Sequence, residues 1–462
     1  MFHRAIVLLL LSLIPLAARE PLDRPNVVII FLDDSGYGDF AHNGNPVIET
    51  PVISRLAAEG VSFTQFYVTA PACSASRYSL LTGRYPGHSG FGGWVLAPQS
   101  APHLRAEETT LAEGFKSRGY ATAMFGKWHL GNPNVENGMA AAAWPLAHGF
   151  DEWIGTNVSH DFQDSLLVTS DAAGNDPIPG YRTLARKLPS NKEASTSLTG
   201  RYTQAAVDFI GRHREQPFFI YLAHNQPHLG LFANEKFSGR SKRGLLGDVM
   251  AEIDDSVGQI LAALEKNGLS SNTLLFFSSD NGPWLKFQDT VDHPRYGEAR
   301  LNVGYAYPFR DGKASIFEGG HRVPGIFHWP GVLPAKRQLE PASTLDLLPT
   351  LFALAGVEAP GAVDGRDIRP LLDPQRHPGE VALFSMLYSN ALNQPDAIRE
   401  GPWKLITRIS NKHKDLKASP EAPLLFQVEH DLGERFNRAA EQPEITARLL
   451  GKLRAAQDAM RE

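Results

Sequence analysis

Cysteine is nearly absent from this chain of 462 residues, which contains one, Cys73. A single cysteine excludes an internal disulfide, so the fold must be held by packing, with or without a metal ion. After the apolar residues 5–16, no hydrophobic run is long enough to cross a membrane. Charges of both signs are mixed along the chain, the formal net charge is −5, and no basic stripe indicates nucleic-acid binding.

The first residues have the composition of a secretory signal. A basic start is followed by the apolar residues 5–16 and by Ala17 and Ala18, small residues that suit a cleavage site. We predict a signal peptide over residues 1–18 and an exported protein, whether periplasmic, secreted or lumenal. An uncleaved anchor is the alternative, and no stable membrane span is expected once the signal is removed.

Several apolar runs, rich in β-branched residues, predict strands buried on both faces of a sheet. They cover residues 26–32, 120–125, 217–223 and 273–277. Stretches with helical periodicity lie between or after them, at residues 110–118, 201–214, 243–265 and 343–356. This succession predicts an α/β fold with a large mixed, mostly parallel sheet sandwiched by helices.

A change in the sequence pattern near residue 376 predicts two domains. The main one would cover residues 22–375, and shorter strand-like pieces with a final amphipathic helix predict a small α+β domain over residues 376–462. Within the main domain, residues 162–200 are polar with little periodicity and are predicted to form a surface loop. The acidic pair Asp254 and Asp255 is interpreted as a solvated helix face.

Cys73 lies between a β-like run, 61–69, and a helix-like run, 74–82, which Gly83 would end. A side chain at a helix N-terminus faces unpaired N–H groups and the positive end of the helix dipole, which favours anionic chemistry. Arg77 lies one helical turn along, so its guanidinium is expected to reach back toward Cys73. The alternative is a small buried apolar residue with no chemical role.

Oxygen-bearing side chains follow the first and the last of the predicted strands. Asp33 and Asp34 come after the first, and Asp280 and Asn281 come after the last. Because the carboxyl ends of parallel strands meet at one sheet edge, these four residues could form an all-oxygen site for Ca²⁺ or Mg²⁺. Taken alone, the first pair also fits a solvated turn.

The two middle strands are likewise followed by ionisable side chains. Lys127 and His129 come after one of them, and on an extended segment two residues apart they would point to the same side. His228 comes after the other, whereas His224, nearer to that strand, is interpreted as structural. Lys127 and His129 taken alone also fit ordinary surface residues.

The strings around these residues resemble the signatures of type I, formylglycine-dependent sulfatases. The strings are Cys73-Ser-Ala-Ser-Arg77 with Leu81-Thr-Gly-Arg84, Gly126-Lys-Trp-His-Leu-Gly131, Pro227-His228, and Gly312-Lys313 with Glu318-Gly-Gly-His-Arg322. Ala75 stands where the family more often has proline. Framework segments at 148–153 and 431–436 resemble arylsulfatases and N-acetylgalactosamine-6-sulfatases, and the resemblance implies an alkaline phosphatase-like fold.

The resemblance also implies a role for each matched residue. Cys73 would be converted to formylglycine by a formylglycine-generating maturation enzyme, and Arg77 would hold it in place. Ca²⁺ would be bound by Asp33, Asp34, Asp280, Asn281 and residue 73. The other roles are sulfate binding for Lys127 and Lys313, action on the aldehyde hydrate for His129, help for the leaving group for His228, and a further active-site contact for Ser159.

The function implied is hydrolysis of a sulfate ester, on a sulfated carbohydrate or an aryl sulfate, to an alcohol and inorganic sulfate. One alternative is a phosphomonoester or phosphonate hydrolase of the same superfamily. Another is a non-catalytic protein that binds sulfated glycans. The loops at 132–147, 162–200 and 283–311 are expected to select the substrate.

Overall fold

The computed structural model describes residues 24–460, except for 91, 93, 98–102, 132–140, 286–298, 390–394 and 410–415. The predicted signal peptide and parts of the predicted substrate loops at 132–147 and 283–311 lie outside the described residues. Within the described ranges, no helix combines the length and the apolar character needed to cross a bilayer.

A large mixed sheet forms the centre of the molecule. In chain order its strands are β1 (Asn26–Leu32), β2 (Val61–Tyr67), β3 (Ala121–Gly126), β4 (Glu152–Thr156), β5 (Leu166–Asn175), β6 (Pro179–Arg186), β7 (Phe218–Ala223), β8 (Thr273–Ser279), β9 (Arg322–His328), β10 (Lys336–Gln338) and β11 (Ala342–Ser343). Their order in the sheet is β10-β2-β9-β8-β1-β7-β3-β4-β5-β6, and β11 pairs with β2. The strands from β8 to β4 along this path are mutually parallel, as predicted.

Helices cover both faces of this sheet. They are α1 (Pro51–Glu59), α2 (Cys73–Thr82), α3 (Leu111–Ser117), α4 (Lys192–Thr196), α5 (Leu198–Arg212), α6 (Leu245–Lys266), α7 (Ala299–Asn302), α8 (Glu318–His321), α9 (Leu347–Ala355), α10 (Arg369–Leu372) and α11 (Pro443–Ala459). One hydrophobic core lies between the sheet and α2, α3 and α9. A second lies between the sheet and α1, α5 and α6.

Strand β1 shows why the sequence of the central strands is continuously apolar. Val27, Ile29 and Phe31 point into the first core, whereas Val28 and Ile30 point into the second. Successive side chains of a strand point to opposite faces, so a strand covered on both sides needs apolar residues at every position. The predicted strands at the centre of the sheet are confirmed for this reason.

The C-terminal part forms a second, antiparallel sheet of four strands in the described chain. These strands are β12 (Ser385–Ser389), β13 (Pro395–Glu400), β14 (Trp403–Ile406) and β15 (Leu424–Gln427). A third core joins this sheet and α11 to Tyr67, Tyr85 and Phe317 of the preceding part. Packing across this boundary ties the small sheet to the large sheet.

The prediction of a surface loop over residues 162–200 is wrong. Strands β5 and β6 pair as an antiparallel hairpin, β5 adds to the edge of the sheet beside β4, and helix α4 follows. Much of this hairpin is exposed or half-buried. An edge hairpin needs few apolar side chains, and so its sequence lacked the apolar signal that marks the central strands.

Asp254 does not belong to a solvated face. It is buried, and its carboxylate accepts hydrogen bonds from the backbone N–H groups of Val52 and Ile53 at 3.1 and 2.9 Å. Thr50, which precedes α1, uses its hydroxyl to accept from Ala41 and leaves the first turn uncapped by its own side chain. A carboxylate on α6 therefore caps α1, an arrangement between distant segments that local sequence does not reveal.

Candidate active site

The C-terminal ends of four adjacent parallel strands carry the predicted site residues. Asp33 follows β1, Lys127 follows β3, the segment leading to His228 follows β7, and Asp280 follows β8. The order β8-β1-β7-β3 places these ends side by side at one edge of the sheet. Helix α2 begins at Cys73 beside them, so that sequence positions far apart meet in one buried site.

Cys73 is the first residue of α2 and is completely buried. Its Sγ atom donates to Asp33 Oδ1 at 3.3 Å and lies 3.1 Å from Lys313 Nζ. Burial and the negative charges of Asp280 and Asp33 raise the pKa of the Cys73 thiol well above its ordinary value, although two lysines oppose them. The unmodified side chain is therefore a protonated thiol and a poor nucleophile.

Arg77 lies near enough to Cys73 for the two charges to interact, as predicted, but its hydrogen bonds go to the residues around the cysteine. Its Nη2 atom donates to Asp280 Oδ2 at 2.8 Å and lies 3.8 Å from Asp33 Oδ1, and Nη1 donates to the Lys127 carbonyl and to the Tyr221 hydroxyl, both at 3.3 Å. A fully buried guanidinium binds carboxylates in preference to a neutral thiol. Arg77 therefore ties together the strand ends around the cysteine.

Asp33 and Asp280 differ in charge environment. Asp33 accepts from Lys127 Nζ at 2.6 Å. Burial alone would raise the pKa of Asp33, but the charges of Lys127, His228 and Arg77 hold it well below its ordinary range. Burial and the nearby charge of Asp33 raise the pKa of Asp280. Asp33 is thus the firmly ionised member of the pair.

Asp34 lies on the other side of Cys73 and has a left-handed backbone, with φ of 64°. Its Oδ1 atom accepts from Lys313 Nζ and from Asn281 Nδ2, both at 2.7 Å, and its Oδ2 atom is 3.6 Å from His228 Nε2. Among the described residues, neither Asp34 Oδ2 nor Asn281 Oδ1 has a hydrogen-bond donor, although both are buried. Buried oxygens of this kind indicate a missing positive partner.

A group of ligand atoms with the spacing of a metal site is present here. Asp33, Asp34, Cys73 and His228 each place one such atom within 4.8 Å of the others. Asp280, predicted as a ligand, instead accepts from Arg77 and from the Asp34 backbone N–H, and its Oδ1 atom retains a second lone pair. The carboxylate oxygens and the unpartnered Asn281 Oδ1 fit a hard cation.

His129 adopts a left-handed backbone, with φ of 55°, so the prediction of an extended Lys127–His129 segment is wrong. Its Nε2 atom is 2.8 Å from the Leu96 carbonyl, which can only accept, so Nε2 carries the proton. Burial, together with the charge of Lys127, lowers the pKa of His129 well below its ordinary value. The ring is neutral, and Nδ1, which has no partner in the described chain, offers a lone pair.

His228 follows β7 in the chain, and Ser159 follows β4. The Nδ1 atom of His228 contacts the Leu229 carbonyl, which directs Nε2 toward Asp34. Ser159 is buried, and its neighbour His160, which sequence reasoning missed, packs edge-on against His228 with ring centroids 5.7 Å apart. His224 contacts Ser256 Oγ at 3.1 Å, in agreement with its structural interpretation.

Sequence reasoning also missed three partners that fix the catalytic segments. Tyr221 binds Arg77 from β7, Ser74 Oγ accepts the backbone N–H of Leu96, and the Leu96 carbonyl binds His129. Tyr221 looked like one more apolar strand residue, and Leu96 acts through its backbone. Tyr221 and Leu96 therefore carry no sequence signal for this role.

Known proteins with a similar sequence cover almost the whole chain. A family model described as Sulfatase matches residues 25–357. Arylsulfatase A from Bos taurus is 36% identical over 462 residues, with 94% of this chain and 87% of that protein covered. N-acetylgalactosamine-6-sulfatase from Mus musculus is 39% identical over 468 residues, with 93% of this chain and 85% of that protein covered.

Solved structures show the same architecture. A Bacteroides thetaiotaomicron protein described with the metabolism of multiple glycosaminoglycans has a TM-score of 0.77 at 25% identity, covering 95% of this chain and 100% of that one. Phosphonate monoester hydrolase from Silicibacter pomeroyi has a TM-score of 0.65 at 18% identity, with 93% and 94% covered, which is a likeness of fold alone. By the extent of the family match and of the aligned relatives, the chain belongs to the sulfatase family, the sulfuric ester hydrolases of the alkaline phosphatase superfamily.

Proposed function

We propose that this sulfatase uses a formylglycine made from Cys73 and a bound Ca²⁺ to hydrolyse a sulfated carbohydrate or an aryl sulfate. The observation that carries the proposal is the position of Cys73. Its Sγ atom lies between the anionic Asp33, at 3.3 Å, and the ammonium of Lys313, at 3.1 Å. A reacting group at this position has a proton acceptor on one side and a positive charge on the other.

The chemistry of residue 73 supports conversion of the cysteine. A thiol whose pKa is raised by burial and by two nearby carboxylates is unsuited to attack as a thiolate. The hydrated aldehyde of formylglycine supplies a nucleophilic oxygen and a second hydroxyl through which sulfate is expelled. Asp33 Oδ1 accepts a hydrogen bond from the group at residue 73 and so orients it, and Lys127, at 2.6 Å, keeps Asp33 ionised.

The cations of the site would stabilise the sulfate oxygens. Lys313 Nζ faces residue 73 and is buried, so its charge acts at low dielectric on the position where the sulfuryl group is transferred. Asp33, Asp34 and Asp280 are opposed by Arg77, Lys127 and Lys313. A divalent cation and a monoanionic sulfate ester entering together would add one net positive charge, which favours loss of a proton from the group at residue 73.

The residues that would hold Ca²⁺ are Asp33, Asp34, Asn281 through its unpartnered Oδ1, and Asp280 through the second lone pair of Oδ1. They offer the hard oxygen donors that this ion prefers. The ion would supply Lewis-acid charge next to residue 73. Ser159 is proposed as a weaker substrate contact.

Two histidines would move protons on opposite sides of the reaction. His228 Nε2, directed toward the site, is placed to assist the departing alcohol oxygen. His129 is neutral, and the hydrogen bond from Nε2 to Leu96 leaves Nδ1 able to take a proton when the second hydroxyl of residue 73 expels sulfate. His129 Nδ1 provides the acceptor, whereas donation by His228 requires a second proton on Nε2, because its Nδ1 proton faces the Leu229 carbonyl.

Maturation would require export and a modifying enzyme. The predicted signal peptide would direct the chain out of the cytoplasm, and a formylglycine-generating enzyme would act on the segment from Cys73 to Arg77. In the folded chain this segment is completely buried. Modification is therefore expected before α2 packs against the sheet.

The test is mass spectrometry of the tryptic peptide that contains Cys73, from protein made in its native host, combined with sulfate release from sulfated sugars and aryl sulfates in the presence of Ca²⁺. Replacement of the sulfur by oxygen, giving the aldehyde or its hydrate, together with sulfate release is the expected result. An unmodified thiol in protein from a host competent for the modification would contradict the mechanism and favour a non-catalytic glycan-binding role. Faster hydrolysis of phosphate or phosphonate esters would favour that alternative activity.

A further inference from the structure

Trp94 and Trp284 are unusual among the tryptophans of this chain. Trp128, Trp144 and Trp153 are buried in the first core, whereas Trp94 and Trp284 are half-buried and belong to none of the three cores formed by the described residues. Their ring centroids are 6.5 Å apart, and the ring planes meet at 56°. Two large aromatic rings that meet in a corner outside the cores need an explanation other than core packing.

This corner adjoins the catalytic site. Lys313 Nζ, which is 3.1 Å from Cys73 Sγ, lies 4.8 Å from the centroid of the Trp284 ring. The Lys313 ammonium group therefore contacts both the Trp284 ring and the reacting residue. A substrate whose sulfate is held by Lys313 would bring the rest of its structure against the aromatic corner.

Backbone contacts fix both tryptophans relative to the catalytic residues. Trp94 comes two residues before Leu96, whose N–H donates to Ser74 Oγ at 2.9 Å and whose carbonyl binds His129. Trp284 follows Pro283, whose carbonyl accepts the backbone N–H of Lys313 at 2.9 Å. The corner is thus built from the segments that also hold the catalytic side chains.

We propose that Trp94 and Trp284 form a subsite for the six-membered ring that carries the sulfate ester, a proposal that rests on the proposed function. Indole faces are flat and apolar, and they bind the apolar face of another ring, whether the C–H face of a pyranose or an aryl ring. The sulfate would lie at Lys313 and the ring against the corner. The two tryptophans would then determine substrate preference without touching the sulfur.

The experiment measures steady-state kinetics of the matured enzyme and of its Trp94→Ala, Trp94→Phe and Trp284→Ala variants. The substrates are monosulfated galactose and N-acetylgalactosamine, 4-nitrophenyl sulfate, and butyl sulfate, which has the ester but no ring. The inhibition constant of inorganic sulfate reports on the sulfate pocket alone. Phe436→Ala, which removes an exposed aromatic side chain from the C-terminal part, is the control.

For the preferred ring substrate, Trp94→Ala should raise KM about tenfold, the size expected for loss of one aromatic stacking contact, and leave kcat within about threefold. Trp94→Phe should restore most of the affinity. The inhibition constant of sulfate, the hydrolysis of butyl sulfate and the kinetics of the control should not change. The ring substrate that shows the rise in KM identifies the ring as a sugar or an aryl group.

Unchanged KM values in both alanine variants, with a wild type that hydrolyses ring substrates, would overturn the subsite and leave the proposed function intact. An equal rise in KM and in the sulfate inhibition constant for Trp94→Ala would also overturn it, because the effect would then lie in the sulfate pocket. A matured wild type that releases sulfate from none of the esters would overturn the proposed function, and the subsite with it.

Discussion

Two buried charge clusters in this protein differ in how their oxygen atoms are paired. The catalytic cluster consists of Asp33, Asp34, Cys73, Arg77, Lys127, Asp280, Asn281 and Lys313. The interface cluster joins the large sheet to the C-terminal sheet and consists of Tyr67, Glu318, Arg322, Tyr388, Arg399, Lys404 and Glu434. Both lie almost entirely out of contact with solvent. They differ in how many of their carboxylate and amide oxygens already have a partner.

In the interface cluster, each carboxylate oxygen of Glu318 and Glu434 has a cation or a donor at 3.0 Å or less, although Glu434 Oε1 meets Lys404 as an ion pair and accepts no hydrogen bond from the described residues. Lys404 Nζ lies 3.0 Å from Glu318 and 2.9 Å from Glu434, and Tyr67 donates to the other Glu318 oxygen at 2.7 Å. The second Glu434 oxygen accepts the backbone N–H of Glu318 at 2.7 Å. A buried carboxylate pair that already shares a lysine between its two members has little capacity left for a cation.

In the catalytic cluster, Asp34 Oδ2 and Asn281 Oδ1 remain without a donor from the described chain. Leaving buried oxygens unpartnered destabilises the protein alone, and a bound cation would remove that penalty. The comparison shows that burial and charge do not by themselves mark a functional site. In the catalytic cluster the indication comes from Asp34 Oδ2 and Asn281 Oδ1 together with the ligand spacing around Asp34, which offer binding capacity that folding has not used.

The largest expected effect concerns Cys73→Ala. Removing the reacting group should lower sulfate release at least roughly 10⁴-fold, as loss of a covalent catalyst does. The free energy of unfolding should change by only about 1 kcal/mol, since one sulfur atom is lost. Sulfate assays and urea unfolding of the same preparation check both values. Activity within tenfold of the wild type would contradict a role for residue 73 in the reaction.

Asp34→Asn should break the catalytic cluster as a cation site. Sulfate release should fall roughly 100-fold or more, because the charge that holds the cation is lost. After treatment with a chelator, added Ca²⁺ at 100 times its Kd should stabilise the wild type by about 2.7 kcal/mol and leave the variant unchanged. Thermal unfolding with and without Ca²⁺ measures the difference.

Asp39→Asn is the matched control for that variant. Asp39 is also buried, and burial raises the pKa of Asp39 to about 7, so at pH 7 about half of its carboxyl groups are uncharged. Both of its oxygens accept backbone N–H groups, from Gly36 and from Tyr305 at 2.7 Å, so an amide should lower the free energy of unfolding by about 1–3 kcal/mol. Stabilisation by Ca²⁺ should nevertheless persist. Equal loss of the Ca²⁺ effect in both variants would contradict the assignment of Asp34 to the cation site.

Lys404→Met should break the interface cluster. It leaves Glu318 and Glu434 buried without the cation between them, which is expected to lower the free energy of unfolding by about 3–5 kcal/mol. Adding Glu434→Gln should recover part of that loss above pH 7, where the Glu434 carboxyl group ionises and would otherwise be an unpaired buried charge. Urea unfolding measures both variants. Activity of the folded protein at low temperature should stay within about threefold of the wild type, and a loss as large as that of Asp34→Asn would contradict the separation of the two clusters.

The interface cluster should also give stability a pH dependence. Burial raises the pKa of Glu434 to about 7, so between pH 4.5 and 7 the folded state binds a proton that the unfolded state has lost. Stability from this group is therefore present at low pH and declines as the pH rises toward 7, by at most about 3 kcal/mol. Urea unfolding at pH 5 and pH 8 should show a smaller difference for Glu434→Gln than for the wild type, and equal differences would contradict this assignment.

The smallest expected effect concerns an exposed ion pair. Arg182 Nε lies 3.0 Å from Asp171 on the edge hairpin, with the arginine side chain 58% exposed. Arg182→Gln should change the free energy of unfolding by less than about 0.5 kcal/mol, because water screens the pair. Urea unfolding at low and high salt checks this, and a loss above about 1 kcal/mol would show that the hairpin depends on the pair.

The sequence could predict the central strands and the residue types of the site for one physical reason. A strand buried on both faces must be apolar at every position, so polar side chains placed at its end stand out in the sequence. Asp33, Lys127 and Asp280 were recognised in this way, together with the motifs that they belong to. The edge hairpin could not be predicted, since exposure to solvent relaxes the demand for apolar residues.

The sequence by itself determined the α/β class, the central strands, the start of α2 at the cysteine and the list of residues that meet at the sheet edge. The tertiary structure alone decided which of them touch. It directs Arg77 to Asp280, gives His129 a left-handed backbone, uses Asp254 to cap a distant helix, and places Trp94 beside Trp284. Local sequence fixes periodicity and residue type, whereas the partner of a buried charge depends on the nearest opposite charge in space, which only the packed chain defines.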